Sequence, residues 1–300
     1  REHTTGFKDE IRYDILENYI SEAKKRYNRL FDEDLSGLEI AVDPGNGVGG
    51  ITLPTLLSEL GTEEDDIYVI NSELDPQFSG RGPDPTKSEL KDLKKTVRKQ
   101  EADLGVALDG DADRAVFVND NGKKVSGDES LAILGKKYLE RNYSDDQAIA
   151  CSINTSKVVA DEILKDSEPK GMISYTPIGA VFTAKKALSS RNPDIEFGGQ
   201  PNGHFLDAKF VPYDSGTLLG SVMPGIVNEK DKTLSGLQAE MPSYDVFEDK
   251  ISPEKVNAEE KEEALEKLKN SVKGKGDIKK VPRAYRIEVG GKNPAKEDEV

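Results

Sequence analysis

The feature that most constrains the fold is an apolar strand that ends in a run of glycines and leads into a helix. Residues 38–43 are typical of a buried strand, and Pro44-Gly45-Asn46-Gly47-Val48-Gly49-Gly50 follows them directly. Apolar residues between positions 53 and 60 predict a helix after the turn. A strand, glycine turn and helix in this order indicate the start of an α/β domain, in which we expect Asp43 and Asn46 to have structural roles.

Strands and helices continue to alternate along the chain. In the first unit, the predicted strands are 67–70, 104–108 and 115–118, and a capping box at 86–89 predicts the start of a helix that ends near residue 100. In the second unit, the predicted strands are 148–153, 172–175 and 195–197, and the predicted helices are 156–164 and 180–188. This pattern indicates two successive α/β units.

The two ends of the chain differ from this middle part. Residues 9–28 carry apolar side chains at helical spacing between charged ones, which predicts one amphipathic connecting helix. Beyond residue 242 the sequence is rich in charge, with an apolar helical stripe at Ala264, Leu265, Leu268 and Val272 and a final strand predicted at 285–289.

Composition excludes several classes of protein. The chain has 42 basic and 57 acidic residues, a formal charge of −15, and this balance excludes nucleic acid as a partner. The single cysteine, Cys151, rules out an internal disulfide and predicts a cytoplasmic location. No apolar run reaches the roughly 18 residues that a membrane helix needs, so we expect no membrane insertion.

Three aspartates alternate in the loop that follows the strand at 104–108. Asp109, Asp111 and Asp113 can converge on one point, where hard carboxylate oxygens without His or Cys suit Mg²⁺. Arg114 follows them and can offer its planar guanidinium to a phosphoryl oxygen. A solvated acidic turn and a Ca²⁺ loop are the alternatives. An EF-hand counted from Asp109 would need Gly and Glu where the chain has Arg114 and Asp120.

A second polar loop follows the strand at 195–197. Its sequence is Gly198-Gly199-Gln200-Pro201-Asn202-Gly203-His204, in which the glycines allow a ligand to approach the backbone. Gln200, Asn202 and His204 can all hydrogen-bond to hydroxyl groups. The turn Thr176-Pro177-Ile178-Gly179 is a further candidate, although a simple strand-to-helix connection would explain it equally well.

These motifs carry a resemblance. Residues 105–114 look like the metal loop of the α-D-phosphohexomutases, the superfamily of phosphomannomutases, phosphoglucomutases and phosphoglucosamine mutases. Residues 43–50 resemble the start of that family's second domain, and residues 127–130 its Gly-Asp step after the metal loop. The resemblance implies Mg²⁺ on Asp109, Asp111 and Asp113, with Arg114 as a catalytic residue.

The resemblance also covers the second polar loop. Residues 197–204 are similar to the family's third-domain sugar loop, which implies that Gln200, Asn202 and His204 contact the hexose. Gln200 stands where the family usually has Glu, which removes a charge. The turn at 176–179 is similar to the loop that recognises one end of the sugar phosphate, and this implies a substrate contact at Gly179.

The implied fold class is α/β, with consecutive mixed-sheet domains of the phosphohexomutase type and a partial α+β domain at the C-terminal end. We expect a linker helix at 1–36, a metal-binding domain at 37–145, a sugar-binding domain at 146–243 and part of a phosphate-binding domain at 244–300. The sequence contains neither the family's phosphoserine loop, Thr-Ala-Ser-His-Asn-Pro, nor its Arg-x-Ser-Gly-Thr-Glu-Pro phosphate loop.

The implied activity is the interconversion of hexose 1-phosphates and hexose 6-phosphates through a bisphosphorylated sugar. Mannose or glucose phosphate is the first choice of substrate, and glucosamine phosphate is the alternative. A noncatalytic fragment that binds metal and sugar phosphate is a further hypothesis, because the phosphoserine lies outside this sequence. The sequence makes no prediction of oligomeric state.

Overall fold

The computed structural model describes residues 5–141, 147–165, 172–189 and 194–242, and shorter stretches between 260 and 289. The helices are α1 Thr5–Leu30, α2 Gly49–Glu59, α3 Lys91–Gln100, α4 Gly127–Arg141, α5 Lys157–Lys165, α6 Ala180–Ser189, α7 Gly216–Lys230 and α8 Leu234–Ala239. The strands are β1 Ile40–Asp43, β2 Ile67–Val69, β3 Leu104–Leu108, β4 Ala115–Asn119, β5 Gln147–Ser152, β6 Met172–Thr176, β7 Asp194–Gly199, β8 Phe205–Asp207, β9 Gly276–Val281 and β10 Ala284–Val289.

The two principal sheets have the same topology. Their strand orders are β2-β1-β3-β4 and β6-β5-β7-β8. In each sheet three strands are parallel and the fourth runs antiparallel at one edge. The mixed-sheet α/β class expected from the sequence is therefore confirmed. β9 and β10 form a separate antiparallel pair.

Side chains alternate between the two faces of the first sheet, and each face packs into a different core. Ala41 and Ala107 belong to a small core with Leu93 and Val97 of α3. The opposite face contributes to a larger core that also includes side chains of the second sheet, among them Ile40, Val42, Leu104, Val106, Ile149, Cys151 and Phe197. The first sheet thus packs on both faces, as its parallel strands require.

The larger core joins the two sheets into one body. The rings of Phe117 on β4 and Phe205 on β8 stack with centroids 6.5 Å apart, and Phe205 stacks on Phe197 of β7 at 6.3 Å. Helix α7 follows the second sheet in sequence but packs against α2, β3 and β4. Helix α4 lies before the predicted boundary at residue 145 but packs against α5, β5 and β7.

A buried polar cluster fastens the predicted linker helix to the second sheet. Arg26 of α1 donates from Nε to Asp207 at 2.6 Å and from Nη2 to Glu196 at 2.8 Å. Tyr138 of α4 donates its hydroxyl to the same Asp207 at 2.7 Å. Asp207 is 1% exposed, so these two donors replace the water that its carboxylate would otherwise bind.

The predicted capping box at 86–89 is wrong. Helix α3 begins at Lys91, after Leu90 in a left-handed conformation with φ 52° and without a side-chain cap. The Thr86 hydroxyl and backbone N–H instead donate to Asp84, at 2.6 and 3.0 Å, because the aspartate precedes them in a tight turn. Reciprocal capping occurs instead between Ser126 and Glu129, where α4 begins.

Parts of the sequence-based predictions lie outside the described residues. The apolar stripe at Ala264, Leu265, Leu268 and Val272 is one of them, as is most of the predicted domain 244–300. Within the described ranges, no helix combines the length and the apolar character that a membrane crossing requires.

Candidate active site

The three alternating aspartates converge at the C-terminal end of β3. Asp109, Asp111 and Asp113 each offer one carboxylate oxygen, and these atoms lie within 4.8 Å of one another. Asp109 is buried, Asp113 is half-buried and Asp111 is exposed. The cluster is therefore anchored in the protein on one side and open on the other.

Burial and the closeness of the carboxylates together determine the electrostatics of this cluster. Burial and the neighbouring Asp109 raise the pKa of Asp113 to about 7. Burial opposes ionisation of Asp109 as well, but hydrogen bonding from Asp113 and Arg114 lowers its pKa below the ordinary value. Asp113 Oδ1 is buried without a hydrogen-bond partner. A divalent cation would relieve the repulsion and use this oxygen, so the donor set fits a hard cation such as Mg²⁺.

Arg114 is held by carboxylates on two of its edges. Its Nε donates to Asp109 Oδ2 at 2.7 Å, and its Nη1 donates to Asp84 Oδ1 at 3.0 Å. The backbone N–H of Arg114 also donates to Asp109, at 3.0 Å. These contacts fix the orientation of Asp109, and the Arg114 side chain remains 20% exposed at the edge of the cluster.

The glycine turn after β1 packs directly against the aspartate loop. The Val48 backbone N–H donates to the Gly110 carbonyl at 3.1 Å. A Cβ at Gly47 would lie 2.5 Å from that same oxygen, so only glycine allows the two loops to approach this closely. The loops after β1 and β3 therefore meet at the point where the strand order reverses, which is where open α/β sheets bind ligands.

Residues 72–85, within the loop between β2 and α3, cover the other side of the aspartate loop. Phe78 packs against Gly110, where an added Cβ would lie 2.9 Å from its ring. Arg81 donates to the carbonyl of Leu108 and to Asp43, and Asp84 accepts from Arg114. No sequence pattern predicted a role for these side chains, and the available signal was a lone Arg between two glycines, Gly80-Arg81-Gly82, after a strand.

The predicted sugar loop lies beside the aspartate loop. Arg114 and His204 form an isolated antiparallel bridge, and the Ala115 backbone N–H donates to the Gly203 carbonyl at 3.1 Å. His204 Nδ1 lies 3.6 Å from Asp113 Oδ2 and 3.0 Å from Asp214 Oδ2. Burial opposes protonation, but the two carboxylates outweigh it and raise the pKa of His204 above its ordinary value.

The two predicted sugar-binding turns are joined by one hydrogen bond. The Gly179 backbone N–H donates to Gln200 Oε1 at 2.9 Å, and Gly179 has φ 134°. Gln200 is 2% exposed, and its Nε2 has no hydrogen-bond partner. Asn202 is exposed at the tip of the loop. Asp214, which sequence reasoning missed, pairs with His204 across the same loop, and no local motif marks it.

The Gly-Asp step at residues 127 and 128 packs directly against the sugar loop. A Cβ at Gly127 would lie 1.6 Å from the Pro201 carbonyl oxygen, so a side chain cannot be accommodated there. Asp128 accepts from the backbone N–H of Ser156 at 2.8 Å, at the start of α5. The contacts of Gly127 and Asp128 therefore fix the position of the sugar loop relative to α4 and α5.

Comparison with known proteins agrees with this architecture. Residues 17–122 match the family model described as phosphoglucomutase/phosphomannomutase, alpha/beta/alpha domain II, and residues 126–244 match domain III of the same family. The chain belongs to the α-D-phosphohexomutase superfamily.

Two curated relatives illustrate the similarity in sequence. A probable phosphoglucosamine mutase of Methanopyrus kandleri is 37% identical over 74% of this chain and 48% of its own length. A phosphoglucomutase/phosphomannomutase of Thermococcus kodakarensis is 34% identical over 79% of this chain and 49% of its own length. The chain spans about half the length of these curated relatives.

Solved structures share the fold. A putative phosphomannomutase from Thermus thermophilus superposes with a TM-score of 0.64 at 21% identity, over 75% of this chain and 50% of that one. The Aspergillus fumigatus N-acetylphosphoglucosamine mutase, in complex with GlcNAc-6P and magnesium, gives a TM-score of 0.56 at 17% identity over 75% and 49%.

Proposed function

We propose that the protein is an intramolecular phosphotransferase that interconverts hexose 1-phosphate and hexose 6-phosphate. The observation that carries this proposal is the contact between two loops. His204 of the sugar loop lies 3.6 Å from Asp113 of the aspartate loop, and a main-chain bridge holds them together. A cation and a hexose bound to these loops would be neighbours, as phosphoryl transfer to a sugar requires.

The residues divide into two groups with different roles. Asp109, Asp111 and Asp113 would hold Mg²⁺, which when bound supplies positive charge to a transferring phosphoryl group. Arg114 orders Asp109 and adds its own charge at the edge of the cluster. Gly179, Gln200, Asn202 and His204 would bind and orient the hexose. The phosphoserine that exchanges the phosphoryl group would lie outside these 300 residues.

The relatives leave the hexose open. The Methanopyrus relative is named a phosphoglucosamine mutase and the Thermococcus relative a phosphoglucomutase/phosphomannomutase, at similar identity. We propose mannose or glucose phosphate as the substrate and glucosamine phosphate as the equally supported alternative. A cytoplasmic location stays a prediction from cysteine usage.

Phosphorus NMR of the complete protein tests this function. Mannose, glucose and glucosamine 1-phosphates are incubated separately with Mg²⁺, and we expect the 6-phosphate of at least one to accumulate. Asp111→Ala should abolish that signal, whereas Asp65→Ala, an exposed carboxylate ahead of β2, should not. Full conversion by Asp111→Ala would refute the metal assignment.

The second candidate is a noncatalytic domain that binds metal and sugar phosphate. This candidate needs only the aspartate loop and the sugar loop, which lie side by side in the structure. Calorimetry would then detect binding of a sugar phosphate in the presence of Mg²⁺, while the complete protein would give no 6-phosphate from any of the three substrates.

A further inference from the structure

Arg81 is a buried cation. All three nitrogens of its guanidinium donate hydrogen bonds to the loops around the aspartate cluster. Its side chain is 7% exposed. Nε donates to Asp43 Oδ2 at 2.7 Å, Nη2 donates to the Asp43 carbonyl at 2.8 Å, and Nη1 donates to the Gly82 carbonyl at 3.1 Å. A further bond from Nη2 reaches the carbonyl of Leu108.

These acceptors belong to the ends of two adjacent parallel strands. Asp43 is the last residue of β1 and Leu108 the last residue of β3. Leu108 immediately precedes Asp109, so a bond to its carbonyl fixes the peptide plane from which the aspartate loop starts. Arg81 therefore joins the two strand ends from which the glycine turn and the aspartate loop emerge.

The glycine turn is shaped to admit this guanidinium. A Cβ at Gly45 would lie 2.6 Å from Cζ of Arg81, and Gly45 itself has φ 57°. The Asp43 carboxylate is 1% exposed, and its other oxygen accepts from the Gly45 N–H at 2.9 Å and the Asn71 side chain at 3.1 Å. The buried charge of Arg81 is thus paired, and its planar fork is matched to acceptors in fixed directions.

We propose that Arg81 is a positioning residue for the cation site, acting through the Leu108 carbonyl to set the geometry of Asp109. This inference rests on the proposed metal-dependent function. Neighbours that orient metal ligands typically change metal affinity by about 10- to 100-fold when they are removed. Lysine keeps the charge of Arg81 but not its fork, since one ammonium cannot reproduce the planar set of bonds.

Titration of the complete protein with Mn²⁺, followed by electron paramagnetic resonance, tests the proposal. We expect Arg81→Lys to weaken Mn²⁺ binding by about tenfold. Arg98→Lys is the matched control, because Arg98 also donates to a loop carbonyl, that of Gly122, in the hairpin after β4. The control should leave Mn²⁺ affinity unchanged. Asp43→Asn weakens the same Arg81–Asp43 contact by changing its other partner. This variant should also weaken Mn²⁺ binding.

A double-mutant cycle separates positioning from general loosening. Because Arg81 and Asp43 act through one contact, the double variant should lose less Mn²⁺ affinity than the two single losses combined. A lower melting temperature with unchanged Mn²⁺ affinity would overturn the proposal. Tight Mn²⁺ binding by the wild type and Asp111→Ala alike would overturn the cation site itself. Normal binding without conversion of any sugar phosphate would refute only the mutase activity.

Discussion

The side-chain amide of Gln200 holds the backbone of Gly179, with its Oε1 accepting the Gly179 N–H at 2.9 Å. A backbone N–H can only donate, so this bond fixes which way the amide faces. Its Nε2 is then left buried without a partner. The loops after β6 and β7 are thus joined through one side chain, and Gln200 offers only hydrogen-bond donors on its free side.

Gln200→Met should remove this link at low cost to stability. The hydrogen bond to Gly179 is worth about 1 kcal/mol, and the unpartnered Nε2 disappears with it. We therefore expect the free energy of unfolding to fall by about 1 kcal/mol or less, measured by urea denaturation. The binding free energy of the sugar phosphate should fall by more than the free energy of unfolding, because the hydrogen bond that holds the 176–179 turn is lost. Asn202→Ala, at the exposed tip, should leave stability unchanged.

Asp111→Ala should remove the cation response without harming the fold. Asp111 is exposed, and its removal lessens repulsion around Asp113. Adding Mg²⁺ should raise the melting temperature of the wild type, since a ligand that binds only the folded state stabilises it. The variant should melt at the same temperature with Mg²⁺ or with a chelator. An equal Mg²⁺-dependent rise in both proteins would contradict this expectation.

Arg26→Met should destabilise the protein by about 3–5 kcal/mol, because it leaves the carboxylate of Asp207 buried without its cationic partner. Lys24→Ala on the same helix provides the comparison. Its pair with Glu59 is about half exposed on both sides and should be worth less than about 1 kcal/mol. Urea denaturation of the two variants measures the difference. Similar losses in both would show that the Arg26 cluster contributes no more than a surface pair.

Tyr138→Phe should reduce the loss of stability at alkaline pH. Burial, together with the charge of Asp207, raises the pKa of Tyr138 well above its ordinary value. The unfolded chain releases this proton above about pH 10 while the folded state keeps it, so the group's contribution is present below that pH and disappears above it.

The size of this effect follows from proton linkage. One such tyrosine costs about 1.4 kcal/mol of stability for each pH unit above about 10. Unfolding free energies at pH 9 and pH 11 should therefore differ less in the variant than in the wild type. An identical pH dependence in the two proteins would contradict the role of Tyr138.

Local patterns predicted much of the fold. The strand at 104–108 coincides with β3, because a fully buried strand is an uninterrupted apolar run bounded by turns. Helix α7 was not predicted, because its sequence lacks the periodic pattern that marks a helix. Residues 216–227 are all buried and include Pro224 and three glycines, so the segment lacks the polar face that marks an amphipathic helix.

Some residues of the candidate site could also be predicted from local sequence patterns, and others could not. Asp109, Asp111 and Asp113 lie close in sequence, so their convergence could be predicted from spacing alone. Arg81 and Asp214 reach the site only through the strand order and the packing of the two sheets. Single-sequence reasoning has no access to such contacts, since residues far apart in the chain carry no joint pattern.

The bridge between Arg114 and His204, with the stacked Phe117 and Phe205 behind it, has a mechanical consequence. A hinge between the two sheets would break main-chain hydrogen bonds and open their common core to water. These contacts therefore couple the position of the aspartate loop to that of the sugar loop. Under the function proposed above, a ligand held between these two loops could present a different end to the aspartates only by turning within the site, since the loops could not swing apart to follow it.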